Sequence, residues 1–190
     1  MAAKTQTRHA ISGRRHGSFA GKAAASAPLS HDGSLATLTE EWIVAQIAAL
    51  SPFTTRGKVE TFRGTTSPEG DELIAEMTAR RSPYCAVLFE GDRAIETQEG
   101  SQDYEPTYGI YIVCQNERDG AARKGDGTTG GTNLMRDLMR NALHDKVPAQ
   151  SANGFFAERS EFRGVRVVMQ RRDAFIMRAE VVVREAPGAS

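Results

Sequence analysis

The clearest pattern along the chain is an alternation over residues 174–184. Phe175, Met177, Ala179, Val181 and Val183 alternate there with Ile176, Arg178, Glu180, Val182 and Arg184. A period of 2 predicts a half-buried antiparallel strand. Residues 164–170 predict its hairpin partner, with the turn at Arg171-Arg172-Asp173. A second alternating stretch, residues 108–114, breaks into a polar loop, residues 115–131, that holds five glycines. The continuous apolar run at residues 84–89 reads as an interior strand, residues 58–63 as a short one, and residues 155–162 offer a further strand.

Three helices are expected between these strands. Thr37-Leu38-Thr39-Glu40 has the form of a capping box, and the helix after it, residues 38–50, is apolar on most sides until Ser51-Pro52 stops it. Ser67-Pro68-Glu69-Gly70 leads into a second helix with Leu73, Ile74 and Met77 on one face. Glu76 and Arg80 have the spacing of an exposed ion pair on that helix, which Ser82-Pro83 closes. Residues 134–143 form the third. The order α-β-α-β-β-α-β-β implies an α+β fold, a mainly antiparallel sheet with two to three packed helices, plus an extended N-terminal arm.

Size and composition divide the chain. With 190 residues, 39% of them hydrophobic, it suits one domain and an appendage. Residues 1–33 show neither period. The expected organisation is an extended basic arm at 1–36, an α+β domain at 37–186 and a short tail at 187–190. The net charge of zero conceals +4 in residues 1–33, +2 in residues 154–190 and −6 between them. Such asymmetry speaks of partners rather than of fold. The arm is expected to lie against other subunits. It is too basic for a secretory signal, although its Arg, Ser and Ala would suit a transit peptide. No apolar stretch approaches 18 residues, so the expectation is a protein made in the cytosol and left soluble.

Chemistry is harder to find. The segment Gly125-Asp126-Gly127-Thr128-Thr129-Gly130-Gly131-Thr132 precedes a helix, as a phosphate cradle would. It lacks the lysine that should precede the final Ser/Thr, and Asp126 would repel a phosphate. No histidine has metal-ligand spacing, no serine sits in a nucleophile elbow, and the acids at 90–105 read as a solvated face. No cofactor, metal or catalytic residue is therefore implied. His144 suits the last turn of its helix. Cys85 and Cys114 fit either buried thiols or a disulfide.

The third strand, the glycine loop, the helix at 134–143 and the C-terminal hairpin together resemble the tail-terminator proteins of Mu-like contractile-tailed bacteriophages, which are similar to lambda-type terminators. The resemblance takes in Asp71-Glu72-Leu73, Ala86-Val87-Leu88-Phe89-Glu90-Gly91, Tyr111-Ile112-Val113 with Gln115-Asn116-Glu117-Arg118, and residues 123–131. It spans most of residues 38–184; the basic arm and the long acidic bridge depart from it. What it implies is a non-enzymatic virion protein at the tail–neck junction, assembled in the host cytoplasm. Such a protein forms a ring, commonly of six subunits, capping the tail tube and facing the neck.

The partners implied are further copies of the chain, the tail tube or sheath protein and a neck connector, with DNA only as passing cargo and no membrane. Candidate contact residues are Arg8, Arg14, Arg15 and Lys22 in the arm, and Glu96, Glu99 and Asp103 in the acidic segment. Arg123, Lys124 and Asp126 follow in the glycine loop, with Arg171 and Arg172 facing a lumen. Three alternatives stay open: a neck or head-completion connector, a DNA-binding accessory protein using the arm, and an enzyme acting on nucleotides or phosphates.

Overall fold

The computed structural model describes residues 34–51, 53–62, 71–96, 102–116, 120–125, 130–152 and 154–187. Helix α1 spans Leu35–Ala48, strand β1 Lys58–Thr61, helix α2 Asp71–Thr78, strand β2 Tyr84–Glu96 and strand β3 Gln102–Gln115. Helix α3, Ala121–Lys124, and helix α4, Thr132–Leu143, precede β4 at Ser151–Ala152, β5 at Phe155–Gln170 and β6 at Ala174–Pro187. The sheet runs β1-β2-β3-β6-β5-β4. Every pairing is antiparallel except β1 with β2. The α+β class and the antiparallel sheet follow the sequence pattern.

Period-2 burial sorts the central strands onto two faces. Cys85 and Val87 of β2, Tyr108, Ile110, Ile112 and Cys114 of β3, and Phe175, Met177, Ala179, Val181 and Val183 of β6 share one face. Ile43 and Ile47 of α1 and Met135, Met139 and Leu143 of α4 cover it. The four-residue spacing of the three α4 side chains makes a single stripe, each fully buried, contributing on the order of 1.5–3 kcal/mol apiece. Tyr84, Ala86, Tyr111, Val113 and Ile176 form the other face, where Met77 of α2 and Phe62 pack. Both cysteines are free and buried among the apolar side chains of the first face.

Several boundaries differ from the sequence reading. Helix α1 begins at Leu35 behind Ser34, which makes no side-chain cap bond, so Thr37-Leu38-Thr39-Glu40 lies inside the helix. Glu40 instead accepts a 2.5 Å hydrogen bond from the backbone N–H of Phe89 on β2, a tertiary contact in place of the expected cap. The described part of the acidic bridge is strand, where the sequence pattern starts a strand only at residue 108. Its residues extend β2 to Glu96 and start β3 at Gln102, paired through Asp92↔Pro106, Arg93↔Glu105 and Ala94↔Tyr104. The Glu76–Arg80 pair forms at 3.0 Å. His144 takes a hydrogen bond at Nδ1 from the Phe162 N–H, tying the end of α4 to β5.

Strand β5 carries three register shifts against β6, at Ala157/Ser160, Phe162/Gly164 and Val167/Met169. Each places an extra residue on β5. Its outer side is paired only near its start, by β4 at Phe155 and Phe156 and by a bridge from Lys146 to Ser160. Beyond Ser160, no described strand adds to it. On the opposite side, β1 pairs β2 only from Tyr84 to Val87, leaving the outer side of residues 88–96 without a described strand.

Candidate interaction surfaces

The hairpin register gives the sheet two distinct ends. Tyr84↔Val113 and Gln115↔Ala174 bring the start of β2, the finish of β3 and the β5–β6 turn together. Glu96↔Gln102 and Tyr104↔Glu185 define the far end. The sequence-derived contact residues separate accordingly. Arg123, Lys124, Arg171 and Arg172 gather at the first end, and Asp103 with the backbone of Glu96 lies at the second.

At the first end, helix α3 and the β5–β6 turn form the two walls of a groove of about 520 Å³, lined by all four of those cations, with Ala122 and Phe175 beneath. The turn is the expected one, closed by Arg171 N–H to the Ala174 carbonyl at 2.8 Å, and the Asn116 N–H bonds the Asp173 carbonyl at 2.8 Å. Nothing in the sequence ties the loop pair to the turn pair. Helix α3 falls within the stretch that the sequence predicts as loop, because four residues carry no period; its buried Ala121 and Ala122 pack it down.

Gly131 sets the position of α3. A Cβ there would lie 2.4 Å from both the Arg123 carbonyl oxygen and the Gly125 nitrogen. Only a residue without a side chain lets α3 close against the start of α4.

At the second end the acids are largely answered within the chain. Asp103 is 6% exposed and receives Arg184 through Nε at 3.0 Å and through Nη2. Glu105 accepts from Arg93 at 2.6 Å and Arg163 at 3.1 Å. Burial pushes the Glu105 carboxyl up, but these two guanidiniums more than offset it and hold it below the usual carboxylate range. Arg8, Arg14, Arg15, Lys22, Glu99 and Asp126 lie outside the described residues, as does the side chain of Glu96.

Two polar clusters had no sequence signal, because their members are far apart in the chain. Arg178 donates to Glu90 through Nε at 2.8 Å and through Nη2, and the Tyr111 hydroxyl donates to the same carboxylate at 3.2 Å. The ion pair is well buried, 11% and 15% exposed, so removing one partner alone would cost about 3–5 kcal/mol. Gly109 leaves it room, since a Cβ there would come 2.1 Å from Glu90 Oε1.

The second cluster lies under α1 and along β3. Thr39 Oγ1 and the Tyr108 hydroxyl are buried beside each other, and Glu185 Oε1 is buried without a hydrogen-bond partner among the described residues. Burial, then repulsion from Asp92, pushes the Glu185 carboxyl up to about 7. Burial likewise pushes the Cys114 thiol up to about 12, and that of Cys85 higher still, which keeps both thiols protonated and unreactive.

Nothing at these sites assembles a nucleophile with a base. Among the described residues no group of three or more His, Cys, Asp or Glu is placed to hold a metal ion, and no helix is long and apolar enough to cross a membrane.

No protein-family model matches the chain, and no curated protein matches it. Among solved structures, a chain from the virion of a native gene transfer agent particle aligns with a TM-score of 0.49 and 9% identity, covering 80% of this chain and 98% of its own.

Proposed function

We propose that this protein is a non-enzymatic structural subunit of a phage-type virion, a tail terminator that closes into a ring, caps the tail tube and joins the tail to the neck. Six subunits is the number that the sequence resemblance implies. The reading rests on that resemblance and on one structural observation, the pair of open lateral edges of the sheet. Residues 161–170 of β5 and residues 88–96 of β2 each lack a described strand neighbour on their outer side.

Both edges carry partly exposed apolar side chains. Val165 and Val167 on β5 are 37% and 54% exposed, and Phe89 on β2 is 36% exposed. Their partners across the ladder, Ala179, Met177 and Tyr108, belong to the helix-covered face, so all three side chains project from that face. Two unlike edges on opposite sides of one sheet suit a heterologous contact, in which each subunit meets its neighbour through different surfaces and a ring closes. The basic arm, reaching an adjoining subunit or a neck protein near Glu96 and Glu99, would add a charged tie.

The test combines electron microscopy of the purified protein with its addition to growing tail tubes. Rings that stop tube elongation are expected. A monomer without effect on tubes would overturn the reading, and rings that leave tubes growing would replace it with a neck connector.

A further inference from the structure

We propose that the groove between α3 and the β5–β6 turn binds the phosphate backbone of duplex DNA. Its four cations come from two short elements held in place by the core. Ala121 and Ala122 are buried beneath Arg123 and Lys124, and Ala174 and Phe175 beneath the arginines of the turn. Lys124, Arg171 and Arg172 are exposed and Arg123 is half-buried. None of the four pairs with a described carboxylate, in contrast to Arg163, Arg178 and Arg184, each of which is engaged by acids. The described acid in the groove's own turn is Asp173, exposed beside Arg172.

The chemistry of the lining selects the partner. Arginine alone can anchor a protein contact, but such contacts usually centre on exposed aromatic or apolar side chains as well. The apolar residues of this groove, Ala122 and Phe175, are 4% and 3% exposed and already belong to the core. A single strand would need exposed rings on which to stack its bases, and none lines the groove. What remains on offer is a set of cations that no described carboxylate engages, three of them arginines with planar forks that match phosphate oxygens. Duplex backbone asks for nothing more. This goes beyond a ring through which DNA merely passes, and it does not depend on ring closure.

The probe is a fluorescein-labelled duplex of arbitrary sequence, titrated with the full-length protein by anisotropy over a series of salt concentrations. Ring formation is scored separately by size. Replacing Arg123, Lys124, Arg171 and Arg172 together by Gln is expected to flatten the slope of log K against log salt by about 3.6, at about 0.9 for each phosphate no longer neutralised. Arg171→Lys with Arg172→Lys should keep the slope, which separates charge from a folding defect. A variant with Gln at Arg8, Arg14, Arg15 and Lys22 controls for the arm and should retain the groove's share. Absence of duplex binding, a slope unchanged by the groove substitutions, or binding abolished by the arm variant alone would overturn the proposal. So would poly-glutamate held by the groove and not displaced by duplex, which would point to an acidic protein instead.

Discussion

Glu185 shows how burial of a single side chain shapes the behaviour of the fold. In the unfolded chain its carboxyl titrates near 4.5, whereas in the fold burial and Asp92 push it up to about 7. The folded state therefore binds more protons than the unfolded one between these values, and its stability must fall as pH rises through that window. Below about 4.5 both states are protonated and the contribution is flat; above about 7 the full penalty is present. Glu185→Gln removes the charge and should be more stable than the parent at pH 8 by about 1–2 kcal/mol, after allowance for solvent screening of a half-buried group. Urea denaturation at pH 5 and pH 8 measures this. A variant equally displaced from the parent at both would exclude the titration as its cause.

At the level of elements, the join between α3 and α4 is the most sensitive point. Gly131→Ala forces a methyl group against backbone atoms of Arg123 and Gly125 that cannot swing aside. A loss of about 1–3 kcal/mol is expected, as for other overpacked sites. Amide exchange should quicken at Gly125, whose N–H bonds the Ala121 carbonyl at 2.7 Å. The remaining helices should keep their protection. This join is invisible in the sequence, where Gly131 is one of five glycines in a polar stretch.

The interior strands and the turn at Arg171-Arg172-Asp173 were legible because period and punctuation agree there. The extended β2–β3 ribbon was not. Its residues 90–96 and 102–105 are rich in acids, and what supports them as strand is pairing with Arg93, Arg163 and Arg184, the last two distant in sequence. The capping box failed for a related reason, a contact with β2 that outcompetes a local one. Of the candidate contact residues, each basic pair could be picked out by itself, but that they line one groove depends on where β3 and β6 end.

For the molecule as a whole, the ring reading makes the outer side of β5 the place to intervene. Val165→Lys with Val167→Lys places two charges at side chains that are 37% and 54% exposed, so the isolated subunit should stay folded and lose no more than about 1 kcal/mol per site. Assembly should be lost, read as a shift to monomer by analytical ultracentrifugation. An assembly of unchanged size would remove β5 from the interface.

The register shifts of β5 add a last consequence. An unbroken edge of that length would template any extended chain that drifted past it, and subunits at high concentration would stack into fibres. Three extra residues on one strand twist it and break the spacing of its outward amides and carbonyls. A passing strand finds at most a few successive bonds before losing step, whereas a surface shaped to the same offsets can engage along the whole length. On the ring reading, the bulges would act as a key profile, letting the subunit remain dispersed until the matching profile is presented.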